Sequence, residues 1–160
     1  MTELIFNYYH KHHSGRTMAR MQTTGFYGIS FNAFADEGSD MNLSRGTTIM
    51  TSLHAEAVGI MVFPSEEAYL NAGSEWDSMS VEPYGALAMF AKDAKGKALP
   101  QEANMLFTGR VTDVIRKSDS DSWITVETLE MIIHLHAEYD GCIESGYYVQ
   151  ADAVVYGKIG

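Results

Sequence analysis

Trp123-Ile-Thr-Val-Glu-Thr-Leu-Glu-Met-Ile-Ile-His-Leu-His-Ala-Glu138 alternates apolar and polar residues in two phases, and the change of phase decides the fold. Ile124 and Val126 share one parity, whereas Leu129, Met131, Ile133, Leu135, Ala137 and Tyr139 share the other. Successive side chains of a strand point to opposite faces, so an offset of one residue swaps the faces. A turn or bulge near residues 127–130 accounts for the offset. Upstream, the β-branched run Met105 to Arg116 reads as a strand, and Lys117-Ser-Asp-Ser-Asp-Ser122 as a loop, because its side chains favour turns over ladders. Downstream, Asp140-Gly141 is a turn signal. Tyr147 to Ile159 is a last strand, with Tyr147, Val149, Ala151, Ala153 and Val155 on one face. Residues 105–160 are therefore expected to form four strands in meander order.

Further out, Phe26 to Phe34 and part of Thr47 to Phe63 are strand-like, and Ala86 to Ala91 is a short apolar strand. Pro64 to Gly73 predicts the one short helix, near residues 65–72. Ser65 is its cap, Glu66 and Glu67 suit the positive end of its dipole, and Gly73 ends it. Pro83-Tyr84-Gly85 reads as a turn and Asp93 to Lys97 as a hairpin tip or loop. The N-terminal stretch, Met1 to Gly25, is compatible with helix, strand or tail. A chain of 160 residues fits a single domain that buries roughly 70% of its unfolded-chain surface. One soft internal boundary falls near Pro100, between strands plus a short helix and the meander. Many short strands separated by turn signals predict a mainly β fold, an antiparallel barrel or a sandwich.

Phe107-Thr-Gly-Arg-Val111, followed by a strand pair and then by Gly146-Tyr-Tyr-Val-Gln-Ala-Asp-Ala-Val-Val-Tyr-Gly157, resembles the glycine-bearing strands of an OB-type barrel. In such barrels a glycine in the first strand lets it bend around the barrel. The segment is also similar to barrel segments of uncharacterised bacterial proteins, which bring no functional residues with them. The resemblance covers about residues 105–160 and implies an OB-like architecture.

The net charge of −10 is uneven. Residues 25–91 carry nine acids against Arg45 alone, while Lys11, Arg16 and Arg20 face only Glu3 between Met1 and Thr24. An acidic body repels phosphate backbones, which counts against nucleic-acid binding. Cys142 is the only cysteine, so no intramolecular disulfide forms, and no apolar run is long enough for a membrane helix. No signal peptide is recognisable, because the charged residues follow Leu4-Ile5-Phe6 rather than precede it. A cytoplasmic protein that does not engage membranes is the expectation.

Three groups of side chains carry potential chemistry. His134, His136 and Glu138 share the outward parity of one strand, and two imidazoles with a carboxylate are a ligand set for zinc or iron. Such a site needs ligands from elsewhere, and His54 and Glu56, again two apart, are the candidate suppliers. A divalent metal is thus the one cofactor the residues point to; the competing expectation is a plain solvent face. His10-Lys-His-His13 can bind metals adventitiously but sits near a chain end, where a solvated segment is expected. Together with Arg16 and Arg20 it forms the only basic patch, which could pair with the acidic body of another copy. Trp123, Tyr147, Tyr148 and Phe107 could stack bases on a barrel face, although core packing explains most of these aromatics. No GxSxG, HExxH or P-loop is present. The leading expectation is a non-enzymatic, small acidic β-barrel acting by protein–protein binding or self-association. A metal- or small-ligand-binding barrel and a single-stranded nucleic-acid-binding module are the alternatives.

Overall fold

The computed structural model describes residues 1–71, 102–128 and 130–160, with the backbone course of residues 86–87, 91–92 and 98–99. The strands are β1 (Thr2–Lys11), β2 (Thr17–Thr23), β3 (Ser30–Ala35), β4 (Thr48–Thr51), β5 (Leu53–Phe63), β6 (Ala86–Leu87), β7 (Ala91–Lys92), β8 (Ala98–Leu99), β9 (Asn104–Ser118), β10 (Asp121–Thr128), β11 (Met131–Glu138) and β12 (Tyr148–Gly157). The short helix α1 (Glu66–Asn71) follows β5, and Ser65 Oγ accepts the Ala68 N–H at 3.0 Å as its cap. The expected helix end at Gly73, the turn at 83–85, the loop at 93–97 and the boundary at Pro100 lie outside the described residues.

The fold is mainly β and contains a closed five-stranded barrel. Its order is β12–β5–β11–β10–β9, with β9 pairing back onto β12. Five strands cannot alternate direction all the way round a closed ring, so at least one neighbouring pair must be parallel. Here that pair is β5 with β11, and the other four junctions are antiparallel. The meander expected over residues 105–160 holds for β9, β10 and β11 only. β5 stands between β11 and β12, so the chain's first half supplies a barrel strand. The loop expected over 117–122 contracts to residues 119–120, since Asp121 pairs with Ser118. The phase change in the opening stretch is a tight turn, with Thr128 paired to Met131.

β9 runs for 15 residues and serves two barrel neighbours, while β6 pairs with its Leu106 and Phe107 from outside the ring. Asn104 to Arg110 pair with β12, and Arg110 to Ser118 with β10. At the changeover sits Gly109, where a Cβ would lie 2.6 Å from both the Glu127 carbonyl oxygen and Val126 Cγ1. A glycine is required there because the chain bends hard against β10.

The N-terminal part, Thr2 to Thr51, forms an antiparallel sheet, β4–β1–β2–β3, which joins the barrel where β3 runs parallel to the end of β12. The chain thus opens on a hairpin, β1–β2. Leu4, Phe6, Met21 and Phe31 of this sheet share one buried cluster with Leu53, Phe107, Ile124, Ile133 and Val149 of the barrel. Glu130, in the β10–β11 turn, fastens the two parts: its carboxylate accepts from Thr23 Oγ1 and, at 2.6 Å, from the Tyr27 N–H. Among the described residues, no helix is long and apolar enough to cross a membrane.

Candidate functional site

Outward-facing residues of β9, β10, β11 and β5 make one continuous surface. Alternation buries Ile124, Val126, Ile133, Leu135 and Ala55, which leaves Trp123, Thr125, His134, His136, His54 and Glu56 on the other side. Pairing aligns them in two rows: Ile115, Trp123, His136 and Glu56 in one, and Asp113, Thr125, His134 and His54 in the next. His54 and Glu56 therefore do flank His134 and His136, as a parallel neighbour strand of matching parity dictates.

The side chains then separate. His136 Nδ1 lies 2.6 Å from Glu56 Oε2, while its Nε2 bonds Asp121 on the opposite side. Its ring stacks on Trp123 at 4.8 Å between centroids. His54 Nε2 faces Asp36 at 2.7 Å and its ring stacks on Tyr156. His134 Nδ1 meets Thr125 Oγ1 at 3.2 Å. Glu138 is exposed at the end of β11. Of the five residues expected to share a metal, His136 and Glu56 thus meet, His54 and His134 turn to other partners, and Glu138 stands exposed. Among the described residues, the one group of three metal-capable side chains with all ligand atoms within 4.8 Å is His12, His13 and Glu102.

A neutral imidazole has one N–H, so bonding to carboxylates through both nitrogens requires the charged ring. The hydrogen bond to Glu56 raises the His136 pKa above its ordinary value; burial opposes this, and Asp121 adds to the rise. A folded-state pKa above the unfolded one stabilises the fold fully below the unfolded value, and that contribution is lost as pH rises through the folded value. Wild type should therefore lose stability relative to His136→Gln as pH climbs above 6.5, the ordinary histidine value. Melting curves of both proteins from mildly acidic to alkaline pH test this; a constant difference would contradict it. The pair is partly solvated, so the loss stays below about 1 kcal/mol.

Compared with protein families, curated proteins and solved structures, the chain shows no match.

The face itself offers two hollows on either side of the Trp123–His136 stack. One, of ≈ 440 Å³, is lined by Glu56, Val58, Ile60, His136, Glu138 and Tyr139. The other, of ≈ 360 Å³, is lined by Asp113, Ile115, Lys117, Trp123, Thr125 and His134. Val58 and Ile115 are 68% and 53% exposed, large apolar groups beside carboxylates and open to contact. Of the other aromatics considered for stacking, Phe107 and Tyr148 are buried, and Tyr147 packs against the core. Asp121 and Asp36 are the site residues that sequence reasoning misses. Counting back by two from Trp123 reaches Asp121 on the outward face, but its Ser/Asp-rich surroundings read as a loop.

Proposed function

We propose that the chain is a non-enzymatic binding barrel that takes a cationic segment of a protein partner across the β9–β10–β11–β5 face. The observation that carries this reading is Trp123, partly buried and stacked on His136, with Glu56, Asp113, Asp121 and Glu138 around it. An indole face attracts arginine or lysine, and carboxylates accept their N–H groups. Ile115 and Val58 supply apolar contact for the stems of such side chains. The net charge of −10 favours encounter with a basic partner.

The connectivity supports an OB-type reading in a permuted form. β9–β10–β11 corresponds to the first three strands, β12 to the fourth, and β5 to a last strand moved to the front of the chain. OB-type barrels bind ligands on the face of their second and third strands. In this correspondence those strands are β10 and β11, which carry Trp123, His134 and His136. The free thiol of Cys142 is exposed, which suits a reducing compartment and hence the cytoplasm. Self-association through the N-terminal basic patch is less favoured, because Arg16 already lies 4.4 Å over the Phe34 ring of its own chain.

Calorimetric titration with arginine- and lysine-rich peptides at low salt tests the proposal. Binding should weaken with salt, and Trp123→Ala should weaken it about tenfold, or ~1.4 kcal/mol. A strictly monomeric protein that ignores cationic peptides, or a Trp123→Ala variant that binds them unchanged, would overturn it.

A further inference from the structure

The β1–β2 hairpin tip holds a second constellation, remote in the chain from the barrel face. The turn closes with His12 N–H donating to Arg16 O at 2.9 Å and Gly15 N–H to His12 O at 2.9 Å. Gly15 adopts φ +88°, a left-handed conformation that glycine takes without strain. This turn folds the His12 ring inward, where it is 9% exposed and packs edge-on against Phe34. The His13 ring lies alongside at 3.9 Å between centroids.

Glu102 arrives from a different part of the chain, just before β9. Its backbone is held independently: Asn32 Nδ2 donates to Glu102 O at 3.0 Å, and Val155 N–H donates to Ala103 O at 2.9 Å. One carboxylate then faces both rings. His12 Nε2 is 3.0 Å from Oε2, and His13 Nε2 is 3.3 Å from Oε1.

We propose that His12, His13 and Glu102 bind a divalent transition-metal ion of the zinc class, which clips the hairpin tip to the segment entering β9. The two nitrogen–oxygen distances are close to roughly 3.3 Å, the ligand–ligand edge of a tetrahedron with zinc bonds near 2.0–2.1 Å, and all three ligand atoms lie within 4.8 Å of one another. Two imidazoles and one carboxylate select zinc-like ions over calcium and magnesium, which prefer all-oxygen shells. Three protein ligands leave a fourth position on the solvent side, where the His13 side chain is 72% exposed.

Ser14 serves both states of His12. Without metal, the Ser14 N–H donates to His12 Nδ1 at 3.1 Å, which leaves the ring proton on Nε2, directed at Glu102. With metal on Nε2, that proton moves to Nδ1, where Ser14 Oγ at 2.7 Å accepts it. Such an outer partner fixes the tautomer of a metal-bound histidine.

The test uses the full chain without an affinity tag, stripped by chelator and titrated with Zn²⁺. One ion per chain should bind and raise the melting temperature, while Ca²⁺ and Mg²⁺ do neither. His13→Ala and Glu102→Gln should each weaken binding at least tenfold, whereas His136→Gln leaves it unchanged. Because His13 is exposed, its variant is expected to fold, and its melting curve without metal should match the wild type. The absence of stoichiometric zinc binding would overturn the proposal, as would binding that survives both substitutions.

Discussion

Gly109→Ala lowers the stability of the fold by about 3 kcal/mol, the upper end of what overpacking costs. The added methyl would stand 2.6 Å from the carbonyl oxygen of Glu127 and 3.1 Å from Thr128 Cβ. Neither is the loose end of a side chain; both are held in the β10 ladder, so β9 must move. That movement opens the junction where β9 changes partner from β12 to β10. For a chain of this length the loss corresponds to a melting temperature lower by about 6–12 °C. Gly59→Ala on β5 is the matched control. Nothing lies within 4 Å of its added Cβ, so the substitution should stay within about 1 kcal/mol of wild type and can stabilise by narrowing the unfolded ensemble. Equal effects at the two positions would mean that the bend at Gly109 is not what the barrel depends on.

What is legible in the sequence around this glycine is local. Alternation over β10 and β11 is a property of each strand and survives without knowledge of its neighbours. The parity change between Val126 and Met131 marks the turn because one face of each strand has to be apolar. Strand order is a different kind of property. Nothing in Leu53–Phe63 announces that it pairs in parallel with Ile133–His136 and antiparallel with β12. Those partners lie in the far half of the chain, and the pairings follow from closing a ring with an odd number of strands. β5 and the later strands nevertheless share one core.

The candidate site is half legible for a related reason. Parity places His134, His136, His54 and Glu56 outward, and register then sets them side by side. What parity does not carry is the direction of each side chain after Cβ, which here depends on the nearest carboxylate. Asp121 claims one nitrogen of His136, and Asp36 claims His54. The histidines at 10–13 show the opposite case. Nearness to the chain end suggests solvent, yet the hairpin buries His12 against Phe34, and Glu102, which comes from the far side of the chain, meets it.

Phe107→Ala should cost still more than the glycine change, about 3–5 kcal/mol. Phe107 is fully buried and directly opposite Ala151, just as Met105 is opposite Ala153. Large residues on β9 thus face small ones on β12, and β5 continues the small series with Ala55 beside Val155. Fully buried, Val149, Ala151, Ala153 and Val155 line one parity of β12. The interior of so narrow a barrel is filled by side chains alone, so deleting the ring leaves a cavity that closed strands cannot collapse around. Denaturant titration of the variant should show a lower midpoint with an unchanged slope, since the folded and unfolded surfaces stay nearly the same. Exchanging the pair, as Phe107→Ala with Ala151→Phe, restores the volume across the same cross-strand contact and should recover part of the loss. If the double variant is no more stable than the sum of its single changes, volume complementarity between β9 and β12 is not what packs the barrel.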